Sequence, residues 1–266
     1  MASSIKLVTA NLWAGGIGRS RTESRLLKLL DLLAAQHASV IAAQECLYWH
    51  ENDFELFHMT ELALGMRGVI GVEDTGMCTA LFVAPPLTLT RSRVIAGGPE
   101  RLWRHGAVRA EVAFPDGETM TLGSVHLSPR SRTQRLLEGE AVTTWWKPED
   151  LTAVLGDFNT PDYDTDLTSA SEYIREELMI DGTDEVDTRA MDHIIRRGFI
   201  DLAARDEATR VPTAGHGREV RTRCDRMFVS PKMAERCGSV TLIDTCGLSD
   251  HDWAAVTYFH PGPGAR

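Results

Sequence analysis

The sequence predicts an α/β domain built on two stacked sheets. Three observations carry that prediction. Short runs rich in Val, Ile, Leu, Phe or Thr recur along all 266 residues, at 5–11, 39–43, 80–84, 107–114, 120–126, 152–156, 226–230, 240–243 and 254–259. Most have the length and composition of strands. Helical patterns intervene at 22–37, 133–146, 169–179 and 190–197. Finally, no Gly/Ser linker, low-complexity block or internal repeat divides the chain. Strands spread this evenly predict one domain over residues 1–260.

Taken in order, the first run closes on Asn11 in Thr9-Ala-Asn-Leu-Trp13. The segment 22–37 carries Leu at 26, 27, 29, 30, 32 and 33, and Ser20 with Glu23 predicts a capping box at its start. The second run closes on Gln44-Glu45-Cys46. Pro115-Asp116-Gly117 predicts a hairpin turn between 107–114 and 120–126. The latter run leads into His126-Leu-Ser-Pro129. Trp145 and Trp146 lie on an amphipathic stretch and are expected to pack. The run at 152–156 continues into Gly156-Asp-Phe-Asn-Thr-Pro161. Cys224-Asp-Arg226 opens a later strand, and Ser249-Asp-His251 precedes the last one. Residues 261–266, rich in Pro and Gly, are expected to form a flexible tail.

An apolar fraction of 43% with 25% charged residues is ordinary for a soluble globular protein, large enough here to bury a core without staples. Five cysteines, 46, 78, 224, 237 and 246, are odd in number and none forms a C-x-x-C pair, which speaks against a disulfide framework or zinc cage. No secretory signal pattern opens the sequence, and no apolar run approaches the roughly 20 residues of a membrane span. A cytoplasmic protein without membrane insertion is expected. Residues 162–187 hold ten acidic side chains and one arginine, so they carry −9 of the chain's net −10.

Apolar strands that each finish on Asn, Glu, His, Asp or Asp-His predict a convergent polar cluster, since α/β active sites gather at strand ends. Phosphoester hydrolysis needs such a cluster: a hard cation held by carboxylates, a base for water, and an acid for the leaving oxygen. The ordered set N…QE…HLSP…GDFN…DR…SDH, spanning Asn11 to His251, resembles the endonuclease/exonuclease/phosphatase superfamily. GDFN alone is a modest signal and SDH alone a weak one. Six elements in the right order are a strong one.

The resemblance implies a four-layer α/β sandwich, two mixed sheets flanked by helices. It implies Glu45 as principal metal ligand, with Asn11 beside it and Asp250 as a further ligand, and magnesium, or manganese in its place, as the ion. Asp157 and Asn159 would position the water and the phosphate. His251, oriented by Asp225, would serve as general base or as a charged phosphate contact. His126 would hydrogen-bond a phosphate oxygen or protonate the leaving group. Secreted nucleases of the family orient the equivalent of His126 with a carboxylate just before the strand that runs here over 80–84. Cys78 or a neighbour stands there instead. Asp225 could alternatively form a plain ion pair with Arg226. Arg130 and Arg132, close after His126, are candidate phosphate-binding residues, followed by Arg135, Arg101, Arg104, Arg19 and Arg21.

These residues favour a divalent-metal-dependent hydrolase of phosphate mono- or diesters over a fold retained only for binding. A phosphorylated small metabolite, nucleotide or lipid headgroup is the expected substrate. A DNA or RNA nuclease is the alternative, weakened by the acidic segment that leaves directly from GDFNTP. A long polyanion would meet like charge there.

Overall fold

The structure, a computed structural model, describes residues 3–18, 21–216 and 218–262. Two six-stranded sheets stack face to face. The first has the order β11 (Thr241–Ile243), β12 (Trp253–His260), β1 (Ser3–Asn11), β2 (Val40–Leu47), β4 (Met77–Val83) and β3 (Arg67–Gly71). The second runs β5 (Thr88–Ile95), β6 (Ala107–Ala113), β7 (Thr119–His126), β8 (Thr152–Asp157), β10 (Asp225–Val229) and β9 (Ile200–Asp201). Each sheet has one parallel pair near its middle, β1–β2 and β7–β8, among antiparallel neighbours. Helices α1 (Ser24–Ala34) and α2 (Glu55–Leu64) cover the first sheet. Helices α3 (Arg132–Trp145) and α5 (Arg189–Arg196) cover the second. The fold is the four-layer α/β sandwich expected.

The inner faces make the central core, with Leu7, Leu81, Leu122, Leu155, Met227 and Val256 among its buried members. Each such side chain contributes about 1.5–3 kcal/mol on burial, against about 1 kcal/mol for a net hydrogen bond, so apolar contact drives the stacking. A polar seam crosses it: Gln44 accepts from Thr9 Oγ1 at 3.2 Å and donates to Ser124 Oγ of the other sheet at 3.3 Å. Because the two sheets stack on their strand faces, this seam helps to align the ends of β2 and β7.

All nine expected strands form, some with shifted ends. The weakly patterned β3, the exposed β5 and the two-residue β9 were not legible as strands. Helix α2 and the short α6 (Pro231–Ala234) are likewise additions. Helix α4 is Glu172–Leu178, shorter than expected, and the Pro115–Gly117 turn closes with Phe114 N–H donating to Glu118 O at 2.8 Å. Ser20 lies outside the described residues; the residue before α1 is Glu23, whose side chain makes no cap bond. The 263–266 part of the expected tail also lies outside them. Trp146 is fully buried and donates to Leu122 O at 3.1 Å, and Trp145 lies under the Arg93 guanidinium, so both pack as expected. Among the described residues no helix is long and apolar enough to cross a membrane.

Candidate active site

Topology delivers the polar strand ends to one rim. The carboxyl ends of the parallel pairs carry Asn11 and the Gln44-Glu45 step in one sheet, and His126 and Asp157 in the other. Strand β10 runs antiparallel to β8, so its first residue, Asp225, pairs with Asp157. Strand β12 runs antiparallel to β1, so the Asp250-His251 step just before it reaches the same rim. Gly156 permits close approach of β8 to β7: a Cβ there would lie 2.0 Å from Val125 O.

Asn11 ties the halves together. Its side-chain amide donates to Asp157 Oδ2 at 3.0 Å and Glu45 Oε1 at 3.3 Å, while its Oδ1 accepts from Trp13 N–H at 2.9 Å. Its backbone carbonyl accepts from Ser249 Oγ and Trp253 Nε1, both at 2.9 Å, which anchors the approach to His251.

Asp157 sits at the centre. Its Oδ2 lies 3.6 Å from His126 Nε2 and 3.8 Å from His251 Nε2, so the two imidazoles flank one carboxylate oxygen. Its Oδ1 accepts from Asn159 N–H at 2.8 Å. Asn159 adopts a left-handed φ of 46° and donates its side-chain amide to Leu127 O at 2.9 Å. A non-glycine residue in that region is locally strained, a pattern common at functional sites.

His251 Nδ1 meets Asp225 Oδ2 at 2.8 Å, and Thr213 Oγ1 donates to the same oxygen at 2.7 Å. Arg226 turns away to Asp201 and Asp162, so the alternative Asp225–Arg226 pair does not form. Burial disfavours charge on His251. The Asp225 carboxylate, its hydrogen bond, and the charges of Asp157 and Asp250 outweigh it and push the imidazole up to about 10. Burial pushes Asp225 up as well, against the opposing His251 charge. Of these opposed tendencies the geometry supports an imidazolium–carboxylate pair, because the carboxylate accepts two short hydrogen bonds.

Glu45 occupies a bulge within β2 rather than its end, with φ at 55°. The bulge turns the side chain out of the ladder, where Oε2 accepts from Ala14 N–H at 2.7 Å. Asp250 hydrogen-bonds to Arg218 through Oδ2, and its buried Oδ1 accepts no hydrogen bond among the described residues, with His251 Nε2 3.9 Å away. Arg25 bonds to the carbonyls of Leu12, Trp13 and Leu248, and its charge acts on both Glu45 and Asp250. Oxygen-only donors with one orphaned carboxylate oxygen fit a hard divalent cation. Ligand atoms of Asp157, Asp225 and His251 also lie within 4.8 Å of one another. An ion on that second set would have to compete with the His251–Asp225 bond, so the Glu45 side is the better fit.

No carboxylate among the described residues meets His126 Nδ1, which is buried without a hydrogen-bond partner there; Nε2 faces Asp157 and the ring stacks on His105. Glu73, the buried carboxylate ahead of β4, instead accepts from Thr75 N–H and Met77 N–H at 2.7 and 3.1 Å. Cys78 pairs across the ladder with Cys46 and contacts His50.

A cavity of about 460 Å³ opens beside Asn159 and His251. Tyr173, Ile174 and Leu178 of the α4 segment form one wall, and Val220 and Arg218 another. Arg218 is the basic residue that lines it, and the sequence reasoning passed it over. The crowded arginines of the 215–223 loop were its only signal. Arg132 is not brought to the cluster: it hydrogen-bonds to Asp181 and Met179 O. Arg130 is exposed and lines a separate hollow of about 250 Å³ with Arg132 and Arg189. Arg135 is buried and holds Ser128 O, Pro129 O and Glu177 O, bracing the loop after His126 against α4. Arg101, Arg104 and Arg21 face Asp74, Glu73 and Glu51, and Arg19 lies outside the described residues. The start of the acidic segment is largely neutralised: Asp162 pairs with Arg223, Arg226 and Arg210, and Asp164 with Arg210.

The model of the endonuclease/exonuclease/phosphatase family matches residues 8–251. The chain belongs to that family. It is therefore a phosphoesterase of the hydrolase class, in a family generally dependent on divalent metal. Among curated proteins no sequence match was found. Solved structures share the fold at low identity. An AP endonuclease from Leishmania major, LMAP, has a TM-score of 0.67 at 17% identity over 97% of this chain and 88% of its own. D. rerio TDP2 complexed with single strand DNA product gives 0.66 at 17% identity, over 96% and 99%. An endonuclease/exonuclease/phosphatase from Beutenbergia cavernae gives 0.70 at 12% identity, over 99% and 73%.

Proposed function

We propose that the protein hydrolyses a small phosphate mono- or diester with magnesium, or manganese in its place, held by Glu45 with Asn11 and Asp250. The single observation carrying the substrate reading is the cavity of about 460 Å³ that opens directly on His251 and Asn159. Small-molecule sites fall in this size range and mix apolar walls with a few polar anchors. The organic group of a metabolite, nucleotide or lipid headgroup would lie against Tyr173, Ile174 and Val220. The ester phosphate would face Asp157 and the histidines, with Arg218 supplying a positive charge.

In this reading His251, charged through Asp225, donates Nε2–H to a phosphoryl oxygen. Asp157 Oδ2 orients and deprotonates the attacking water, and Asn159 holds Asp157 in place. His126 donates through Nε2 to the oxygen that leaves. The bound cation would neutralise phosphate charge and polarise the P–O bonds. Residues from both sheets contribute, so we place the activity in one domain over residues 1–260. Free cysteines at the five positions suit a reducing cytoplasm.

A second reading, a DNA or RNA nuclease, is favoured by the structures similar to this one, which include an AP endonuclease and a TDP2 holding single strand DNA product. A panel of phosphate mono- and diesters with supercoiled plasmid, assayed with magnesium and with chelator, separates the two. Turnover of a small ester without efficient nicking supports the first reading. Efficient nicking with no small ester hydrolysed replaces it by the second.

A further inference from the structure

His126 lies against another histidine. The ring of His105 stacks on it with centroids 4.3 Å apart and planes 19° from parallel. Both rings are buried. Neither ring nitrogen of His105 has a hydrogen-bond partner among the described residues, and neither has His126 Nδ1. Buried unpaired nitrogens cost stability, so ordinary packing would favour a purely apolar ring at this place.

The chain around His105 is built to hold it there. Gly97 and Gly106 cross so closely that a Cβ on Gly97 would lie 2.2 Å from Gly106 N. Thr79 Oγ1 donates to His105 O at 3.3 Å. One buried carboxylate, Glu138 of α3, spans the two histidine-bearing segments. Its Oε1 accepts from Arg104 N–H and its Oε2 from Ser128 N–H, both at 2.6 Å. The first bond fixes the residue preceding His105, the second a residue just beyond His126. The two rings are thus set face to face by a shared clamp.

We propose that His105 is a positioning residue, fixing the ring plane of His126 by stacking where no carboxylate holds its Nδ1. The plane decides where Nε2 points, and Nε2 faces the Asp157 side of the site. Burial, then the charges of His126 and Arg104, push His105 down to about 2, so it remains a neutral face and adds no repulsion to a proton on its neighbour. The catalytic consequence rests on the proposed role of His126 as donor to the leaving oxygen; the placement itself does not.

The test compares His105→Phe, which keeps a stacking ring, with His105→Leu, which fills the space without one. In histidine-labelled protein, the His126 Hε1 resonance should remain a single sharp, ring-shifted line in wild type and His105→Phe. In His105→Leu it should broaden or split, beyond the downfield shift that loss of the ring current alone produces. A line that shifts but stays single and sharp in His105→Leu overturns the proposal whether or not any ester is hydrolysed. Activity supplies the second measurement, with bis(4-nitrophenyl) phosphate and diphenyl phosphate in magnesium. His105→Phe should stay within about threefold of wild type, while His105→Leu should lose at least about tenfold in kcat with little change in KM. The loss should be larger on diphenyl phosphate, whose leaving oxygen is more basic. Full activity of His126→Ala would instead sink the donor role of His126, leaving the resonance comparison to decide His105.

Discussion

Nδ1 of His251 lies 2.8 Å from Oδ2 of Asp225, while the other nitrogen of the ring points toward Asp157 at 3.8 Å. A carboxylate on one nitrogen of an imidazole fixes its tautomer and stabilises imidazolium. His251→Ala and Asp225→Ala should each lower kcat/KM at least about a hundredfold. The double variant should be little worse than His251→Ala, because residues acting as a unit lose their contribution once. Multiplying losses would show two independent roles.

The raised pKa of His251 has a consequence for stability. A histidine that holds its proton more tightly folded than unfolded stabilises fully below its unfolded value, about 6.5. That contribution is lost as pH rises toward the folded value of about 10. Denaturant unfolding of the metal-free protein should therefore show a larger loss across this window for wild type than for His251→Gln. Equal losses would mean that the imidazole is not held as the cation.

Glu45 is the most telling position for the metal. Glu45→Gln preserves shape but removes the charge that retains a hard ion. Calorimetric magnesium binding should weaken sharply and turnover should nearly vanish. Wild-type magnesium binding by this variant would move the ion to Asp157, Asp225 and His251, the alternative set.

Arg218 and Arg132 should separate cleanly. Arg218, paired with Asp250, lines the cavity beside His251, whereas Arg132, paired with Asp181 and Met179 O, lies away from that cavity. Arg218→Ala should raise KM for a small ester about tenfold, in keeping with a charge-assisted contact on a largely exposed side chain. Arg132→Ala should leave KM within about twofold, the scale of an exposed ion pair. The reverse order would place the substrate in the hollow near Arg130.

Asp162 tests the idea of a repulsive acidic rim. Its carboxylate accepts from Arg223 at 2.9 and 2.8 Å and from Arg226 at 3.0 Å, and these contacts outweigh burial to bring it down to about 2. Asp162→Asn should therefore cost about 1.5–3 kcal/mol in unfolding free energy, the scale of hydrogen bonds to a charged group, since Asp162 is half-buried and both arginines keep Asp201. Plasmid nicking should not improve. A stable variant with enhanced nicking would restore the rim as a barrier to polyanions.

The sequence by itself determined the sandwich and the membership of the rim. Apolar runs that end on Asn11, His126 and Asp157 can bury their lengths in a sheet only by leaving those ends at its edge. The order of the motifs supplied the remaining members, Glu45, Asp225, Asp250 and His251. Strands β3, β5 and β9 escaped because a partly exposed, charged or two-residue strand carries little periodic signal. The tertiary structure decided which charges are free. Arg132 and Asp162 look like site residues by proximity in the chain, yet each is claimed by a partner remote in sequence, Asp181 or Arg223. The stacking of His105 on His126 and the approach of Arg218 to His251 likewise depend on loops 21 and 33 residues away along the chain. Side-chain pairing across such separations follows from how the two sheets and their loops pack, and no local pattern of residues encodes it.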